Sequence, residues 1–328
     1  LIFYIYLNIN SFFSFNQKIS FLSSIPFLRI CFFVFALAYF ISNQPKIYKI
    51  FYRIFFLSIL CLLVDSVMQS FFGLNILRDQ VIHENRISSF FGEELIMGSY
   101  VSRLLPIALA SSFFINLKNK YKLNFMLLIL SGMLIVLSGE RLAVIYYLGI
   151  IFIYFLITKK YVLKFSFFII LISIISILFK PTIIDRLYYN TKSQISQHKS
   201  IFSYRHTLHF KTAHDMFLDK KLFGHGLKSF RYKCSDKIYE DKIKEKQSFD
   251  IQKLKININQ KHYITEFKNG CNTHPHNIYL EYLSELGLFG IVFLITIFVY
   301  SSSKLFFYLY RNLIFSDKNE LSLGKILI

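Results

Sequence analysis

Charged residues are scarce in this chain of 328: Asp, Glu, Lys and Arg together make up 17%, and acidic residues number only 19. By contrast 54% is hydrophobic, with 39 Phe, 22 Tyr and a mean hydropathy of +0.46. A soluble domain of this size cannot bury so many apolar side chains in runs this long. The composition therefore excludes an ordinary cytosolic enzyme and points to an all-α polytopic membrane protein. Heptads, low-complexity tracts and phosphate-binding glycine loops are also lacking. There is no secretory signal peptide with a cleavage site, as expected of spans that insert themselves. No matching pair of interrupted apolar segments marks an inverted-repeat transporter. The start at Leu1 without Met and the new apolar run opening at residues 325–328 read as a fragment clipped at both ends.

The formal charge of +19 would suggest nucleic acid in a soluble protein. Here it sits in short loops and one long insert, so membrane topology and an anionic lipid-linked ligand account for it, and no nucleic-acid partner is expected. Apolar stretches fall at roughly 1–13, 25–42, 50–72, 95–115, 122–138, 141–157, 162–180 and 277–300, judged against the ~20 residues that cross ~30 Å of hydrocarbon. Lys46 and Lys49, then Lys118, Lys120 and Lys122, then Lys159, Lys160 and Lys164 fall on one side, which the positive-inside rule makes cytoplasmic. The expected organisation is a transmembrane bundle over 1–180 with about seven spans, a long periplasmic loop over 181–276, and a further span with a cytoplasmic segment over 277–328.

Loops as long as 181–276 are usually functional or disordered, and this one reads as mostly folded. Ser203 is placed to cap a helix through Tyr204, Leu208, Ala213 and Met216, with Arg205, His209 and Lys211 left to solvent or headgroups. Gly224-His225-Gly226 then makes a turn, and residues 233–268 read as a charged, mobile excursion. Cys234 and Cys271 bracket that insert. In an oxidising periplasm a bond between them would stabilise by roughly 3–4 kcal/mol, the alternative being two free thiols. Cys31 and Cys61 lie within spans and read as small buried hydrophobes.

The most specific stretch is Thr273-His274-Pro275-His276-Asn277, followed after nine residues by Gly287, two residues and Gly290. It resembles the O-antigen ligase and polymerase family, in which a His-Asn pair with this glycine spacing opens a transmembrane helix. Ser138-Gly139-Glu140-Arg141, Tyr204-Arg205 with Phe223-Gly224-His225-Gly226-Leu227, and Arg86 to Arg103 with Phe90-Phe91-Gly92-Glu93 add to the resemblance, which covers roughly residues 80–300. It implies a helical bundle of the GT-C-like type, with one long periplasmic loop carrying short amphipathic helices. It also implies a bacterial inner-membrane enzyme with its active site on the periplasmic face, and an inverting, metal-independent glycosyltransferase with no cofactor. The implied partners are a lipid-linked oligosaccharide donor and lipid A core or another glycan acceptor.

Elementary chemistry points to the same place. A glycan on polyprenyl diphosphate has its lipid in the bilayer and its sugar outside, so the reacting carbon lies at the interface. A neutral imidazole there can take a hydroxyl proton, and Arg donates bidentately to phosphate oxygens. The resemblance assigns His276 as base and Arg205 and Arg141 as diphosphate clamps, with Arg103, Arg86 and Asn277 as substrate contacts. His274 is the alternative base. The competing reading makes His276 a residue that merely precedes a helix, with Asn277 as its cap. Glu140 is a candidate neutralising partner for Arg141. Asp65 and Arg103 are expected to form an intramembrane ion pair. His83, His198, His206, His209, His214, His225 and His262 read as polar surface residues, in spacings that do not match a zinc site. O-antigen ligation to lipid A core leads. An O-antigen polymerase, a protein O-glycosylating ligase, a lipid-linked glycan transporter coupled through Asp65 and Arg103, and a scaffold using the Lys-rich insert are the alternatives. If the chain is the enzyme, deletion of residues 236–268 is expected to be partly tolerated.

Overall fold

The structure, a computed structural model, describes residues 1–44, 46–78, 86–115, 119–158, 185–189, 191–192, 202–253 and 269–315. Among them the fold is helical with no strand, an all-α polytopic membrane protein. Among the described residues five helical stretches are long and apolar enough to cross a bilayer: Gln17–Asn43, Lys46–Phe72, Lys120–Leu137, Arg141–Thr158 and Ile278–Phe307. Two expected spans come out shorter. The stretch at 1–13 is an 11-residue helix, α1 (Ile2–Phe12), and the chain restarts at α2 (Gln17–Ser24), where the Asn16 side chain accepts from Ile19 N–H at 3.1 Å. The stretch at 95–115 is α5 (Met97–Ser112), 16 residues with Pro106 inside it. The stretch at 162–180 lies outside the described residues.

The chain divides into two compact units. One comprises Phe40–Ser193 with Ser302–Ile328. Its core is made by α4 (Lys46–Phe72), α5, α6 (Lys120–Leu137) and α7 (Arg141–Thr158), whose buried residues include Ile59, Leu105, Leu127, Leu134 and Ile135. Several polar groups on these apolar helices find partners within the bundle, where hydrocarbon offers none. Tyr52 hydroxyl donates to Asn124 at 3.0 Å, and Asn124 donates to Ser112 at 2.7 Å. Asp65, fully buried, accepts from Ile76 N–H at 2.7 Å and from Ser89 hydroxyl at 2.6 Å. The expected Asp65–Arg103 ion pair is therefore replaced by an anchor for the chain after α4, while Arg103 faces outward on α5.

The other unit comprises Leu1–Tyr39 with Gln194–Ser301. It contains α1, α2 and most of α3 (Leu28–Asn43), a helix without a single buried residue whose Phe32, Phe33 and Phe35 face outward. Such an apolar, little-buried surface suits contact with lipid. The unit also contains α8 (Tyr204–Asp219), the one-turn α9 (Phe230–Lys233), α10 (Lys237–Lys253) and the first part of α11 (Ile278–Phe315). Ala213, Met216, Phe230, Cys234 and Tyr239 form a small core, with Cys271 and Leu280 against it. Cys234 and Cys271 are joined as a disulfide with Cα atoms 5.2 Å apart. Residues 237–253 thus form a packed helix and not the expected excursion, because Tyr239 and Ile243 give α10 an apolar anchor. The remainder of the insert, 254–268, lies outside the described residues.

Candidate active site

The frame of the site is the N-terminal part of α11, which is broken at Gly287 (φ 66°, ψ −160°). A break in an apolar helix exposes carbonyls and amides that hydrocarbon cannot satisfy. The turn after α8 satisfies them. His225 N–H donates to Ser284 carbonyl at 3.0 Å, Gly226 N–H to Glu285 carbonyl at 2.8 Å, and Leu288 N–H to Lys221 carbonyl at 2.8 Å. The Tyr6 hydroxyl of α1 donates to Leu286 carbonyl. The Glu285 carboxylate, itself buried, accepts from Lys228 N–H at 2.7 Å and Phe230 N–H at 3.1 Å. Two glycines permit this approach: a Cβ on Gly287 would lie 2.2 Å from Leu222 carbonyl oxygen, and one on Gly224 2.5 Å from Glu285 carbonyl carbon. Both have positive φ. The interval between Asn277 and Gly287 is thus the run of helix, about two and a half turns, from the cap to the break.

Asn277 is that cap, its Oδ1 accepting from Tyr279 N–H at 3.0 Å and Leu280 N–H at 3.2 Å. His276, just before it, takes the left-handed backbone at φ 56°. That conformation is uncommon for a residue with a Cβ and turns the ring toward α8. His276 lies 5.0 Å from the His206 ring, 5.6 Å from His209 and 4.3 Å from His274, centroid to centroid. Ser203 caps α8, its hydroxyl oxygen accepting from His206 N–H at 3.3 Å and meeting His206 Nδ1 at 2.6 Å. His209 is buried, with Nδ1 2.8 Å from Gly270 carbonyl, so Nδ1 carries the proton. His225 is buried as well, with Nε2 donating to Met216 carbonyl at 2.9 Å. The expectation of surface positions fails for these two histidines, because backbone carbonyls satisfy their ring N–H groups inside the unit. His83, His198 and His262 lie outside the described residues.

The electrostatics of the cluster favour neutral rings. Burial, then the neighbouring His274, His206 and His209 and the Arg205 guanidinium, hold His276 down at about 4. Burial also lowers His206 and His209, with Arg205 adding to it. His276 is therefore a free base at neutral pH. Among the described residues no group of three or more His, Cys, Asp or Glu side chains is arranged to hold a metal ion.

The other expected site arginines, Arg86, Arg103 and Arg141, belong to the other unit. Arg86 donates to Ser138 carbonyl at 3.1 Å and Leu95 carbonyl at 2.7 Å, and its guanidinium lies 3.9 Å from Glu140. Glu140 in turn accepts from Gly98 N–H at 2.8 Å and Ser99 N–H at 3.3 Å, neutralising the start of α5. Glu140 is thus committed to Arg86 and α5 and builds the turn that leads to Arg141, the half-buried first residue of α7.

A model of the O-antigen ligase family matches residues 126–295, more than half of the chain. The chain belongs to the O-antigen ligase family. No curated protein and no solved structure matches it. The O-antigen ligase match contains Arg141, Arg205, His276, Asn277 and both glycines of the α11 break, whereas Arg86 and Arg103 precede it. Within this family member, the structure brings His276, His274, Arg205 and Asn277 into one unit and adds His206, His209 and Asn272, which sequence reasoning had not placed there. His209 carried a usable signal, since it stands one helical turn after both Arg205 and His206 on α8. Asn272 carried none.

Proposed function

We propose that this protein is a glycosyltransferase that moves a glycan from a polyprenyl diphosphate carrier to an acceptor hydroxyl, with O-antigen ligation to lipid A core as its reaction. Membership of the O-antigen ligase family supports this reading. The single observation that carries it is His276, seated at the head of a membrane helix with its ring against His206 and His209 of α8, the helix that carries Arg205. In the proposed step the acceptor hydroxyl gives its proton to His276 while its oxygen bonds to the anomeric carbon. The bond from that carbon to the diphosphate breaks, and the electron pair leaves with the polyprenyl diphosphate. Direct displacement inverts the linkage and calls for no metal. Arg205 donates to the departing diphosphate, where charge builds up, and the family resemblance assigns the same role to Arg141. Arg86 and Arg103 are proposed as secondary substrate contacts. The proposed location is the bacterial inner membrane, with residues 181–276 as a periplasmic loop between the bundle at 1–180 and the span after 277.

The satisfied anchor at Asp65 favours this reading over a transporter coupled through that residue. The test is reconstitution of the purified protein in vesicles with a labelled polyprenyl diphosphate glycan. Acceptor-dependent release of polyprenyl diphosphate is expected. Movement of the labelled glycan across the bilayer, with no release when acceptor is added, would overturn the assignment. Supplying lipid A core, a second lipid-linked repeat or a Ser-containing peptide then separates ligase, polymerase and protein glycosylation.

A further inference from the structure

Three consecutive residues, Gly270 to Asn272, each carry a tether. The Gly270 carbonyl receives His209 Nδ1–H at 2.8 Å, Cys271 is bonded to Cys234, and the Asn272 Nδ2 lies 2.9 Å from His276 Nε2. The orientation of the Asn272 amide is fixed independently, because its Oδ1 accepts from Thr273 N–H at 2.7 Å. The amide therefore presents N–H to His276, and Nε2 must be the nitrogen with the lone pair.

We infer that Asn272 is a positioning residue that keeps the His276 lone pair on Nε2 and occupies the place where the acceptor hydroxyl hydrogen-bonds. The inference rests on the reading of His276 as base. An amide N–H can donate to a bare ring nitrogen but not to a protonated one, so protonating Nε2 from solvent sacrifices this hydrogen bond. Asn272 thus acts in the same direction as the groups that face His276: His206, His209 and Arg205 from α8, and His274 from its own loop. It also occupies the Nε2 lone pair that a water would otherwise take. An incoming sugar hydroxyl replaces the amide as donor to Nε2, and only then does the proton move onto the ring as the oxygen attacks. Uncovered, the same nitrogen would activate water and release the glycan by hydrolysis. His209 and the disulfide hold the backbone on either side of Asn272 and so set the reach of its side chain.

The experiment uses the purified full-length protein with a polyprenyl diphosphate glycan, and follows both transfer to acceptor and acceptor-free hydrolysis as a function of pH. Asn272→Ala is expected to raise the ratio of hydrolysis to transfer several-fold and to move the acid limb of transfer upward. Asn272→Asp, nearly isosteric, places a carboxylate against Nε2 and should move that limb up by roughly 1 pH unit or more. The Asp variant serves alone if the Ala variant does not fold. Wild-type limbs and ratios in the folded variants, with His276→Ala inactive, would overturn the role of Asn272 and leave the base in place. Transfer that survives in His276→Ala would overturn the base itself.

Discussion

The chemistry at residue scale depends on which groups are kept neutral and which are held charged. His276 is depressed from its ordinary value near 6.5 to about 4 by burial and by the neighbouring His274, His206, His209 and Arg205. Its neutral, basic form therefore persists through the range where an ordinary imidazole protonates. For a reaction that needs this base free, kcat/KM should hold steady as pH falls through 6.5 and decline only toward pH 4. A limb near 6.5, with no protein unfolding, would show that the neighbours do not act on the ring. Glu140 has a structural part instead, its carboxylate bound by Arg86 and by the amides that open α5. Glu140→Ala leaves those amides and the guanidinium without it, and a loss of about 1–3 kcal/mol is expected in detergent unfolding. Unchanged stability would contradict the assigned anchoring role.

At the scale of elements, the decisive feature is the helix broken at Gly287 and filled by the turn Gly224–Gly226. Gly287→Ala forces a Cβ to 2.2 Å from Leu222 carbonyl oxygen at a positive φ. The conformation alone costs roughly 1–2 kcal/mol before the clash is counted. A sharp fall in the yield of folded protein is expected, visible by size-exclusion chromatography in detergent. Gly149→Ala on α7 is the control, since its Cβ meets nothing within 4 Å, and it should be neutral or stabilising by up to about 1 kcal/mol. Most helices were legible in the sequence because their apolar runs match the thickness of a bilayer. Pro106 did not stop α5, and the 1–13 run, a helix over Ile2–Phe12, is followed at once by a new helix that Asn16 caps. The glycine spacing was legible as a motif, but not as a cap-to-break distance. That meaning depends on the Gly224 turn arriving from more than 60 residues upstream, a contact that periodicity cannot reveal.

For the whole molecule, the described residues 202–253 and 269–276 of the long segment belong to a folded unit with its own core. Deleting residues 236–268 removes Tyr239 and Ile243, both buried, so the partial tolerance expected from sequence is replaced by loss of the folded unit. Deleting only 254–268 spares that core and is the fairer test of what the rest of the insert does. The Cys234–Cys271 bond closes a separation of 37 residues. Cys234→Ser should lower stability by about 3–4 kcal/mol on the loop-entropy model, measured by unfolding with and without reductant. In the candidate site, His276, Asn277 and Arg205 could be picked out from the chain. The burial of His209 and the contact from Asn272 could not, because both depend on where a disulfide-tethered loop lands on α8. The most direct measurement is single-turnover glycan transfer by purified, folded His276→Ala against wild type at saturating acceptor. A fall of at least about a hundredfold is expected of a lost general base, and transfer at the wild-type rate would contradict the mechanism.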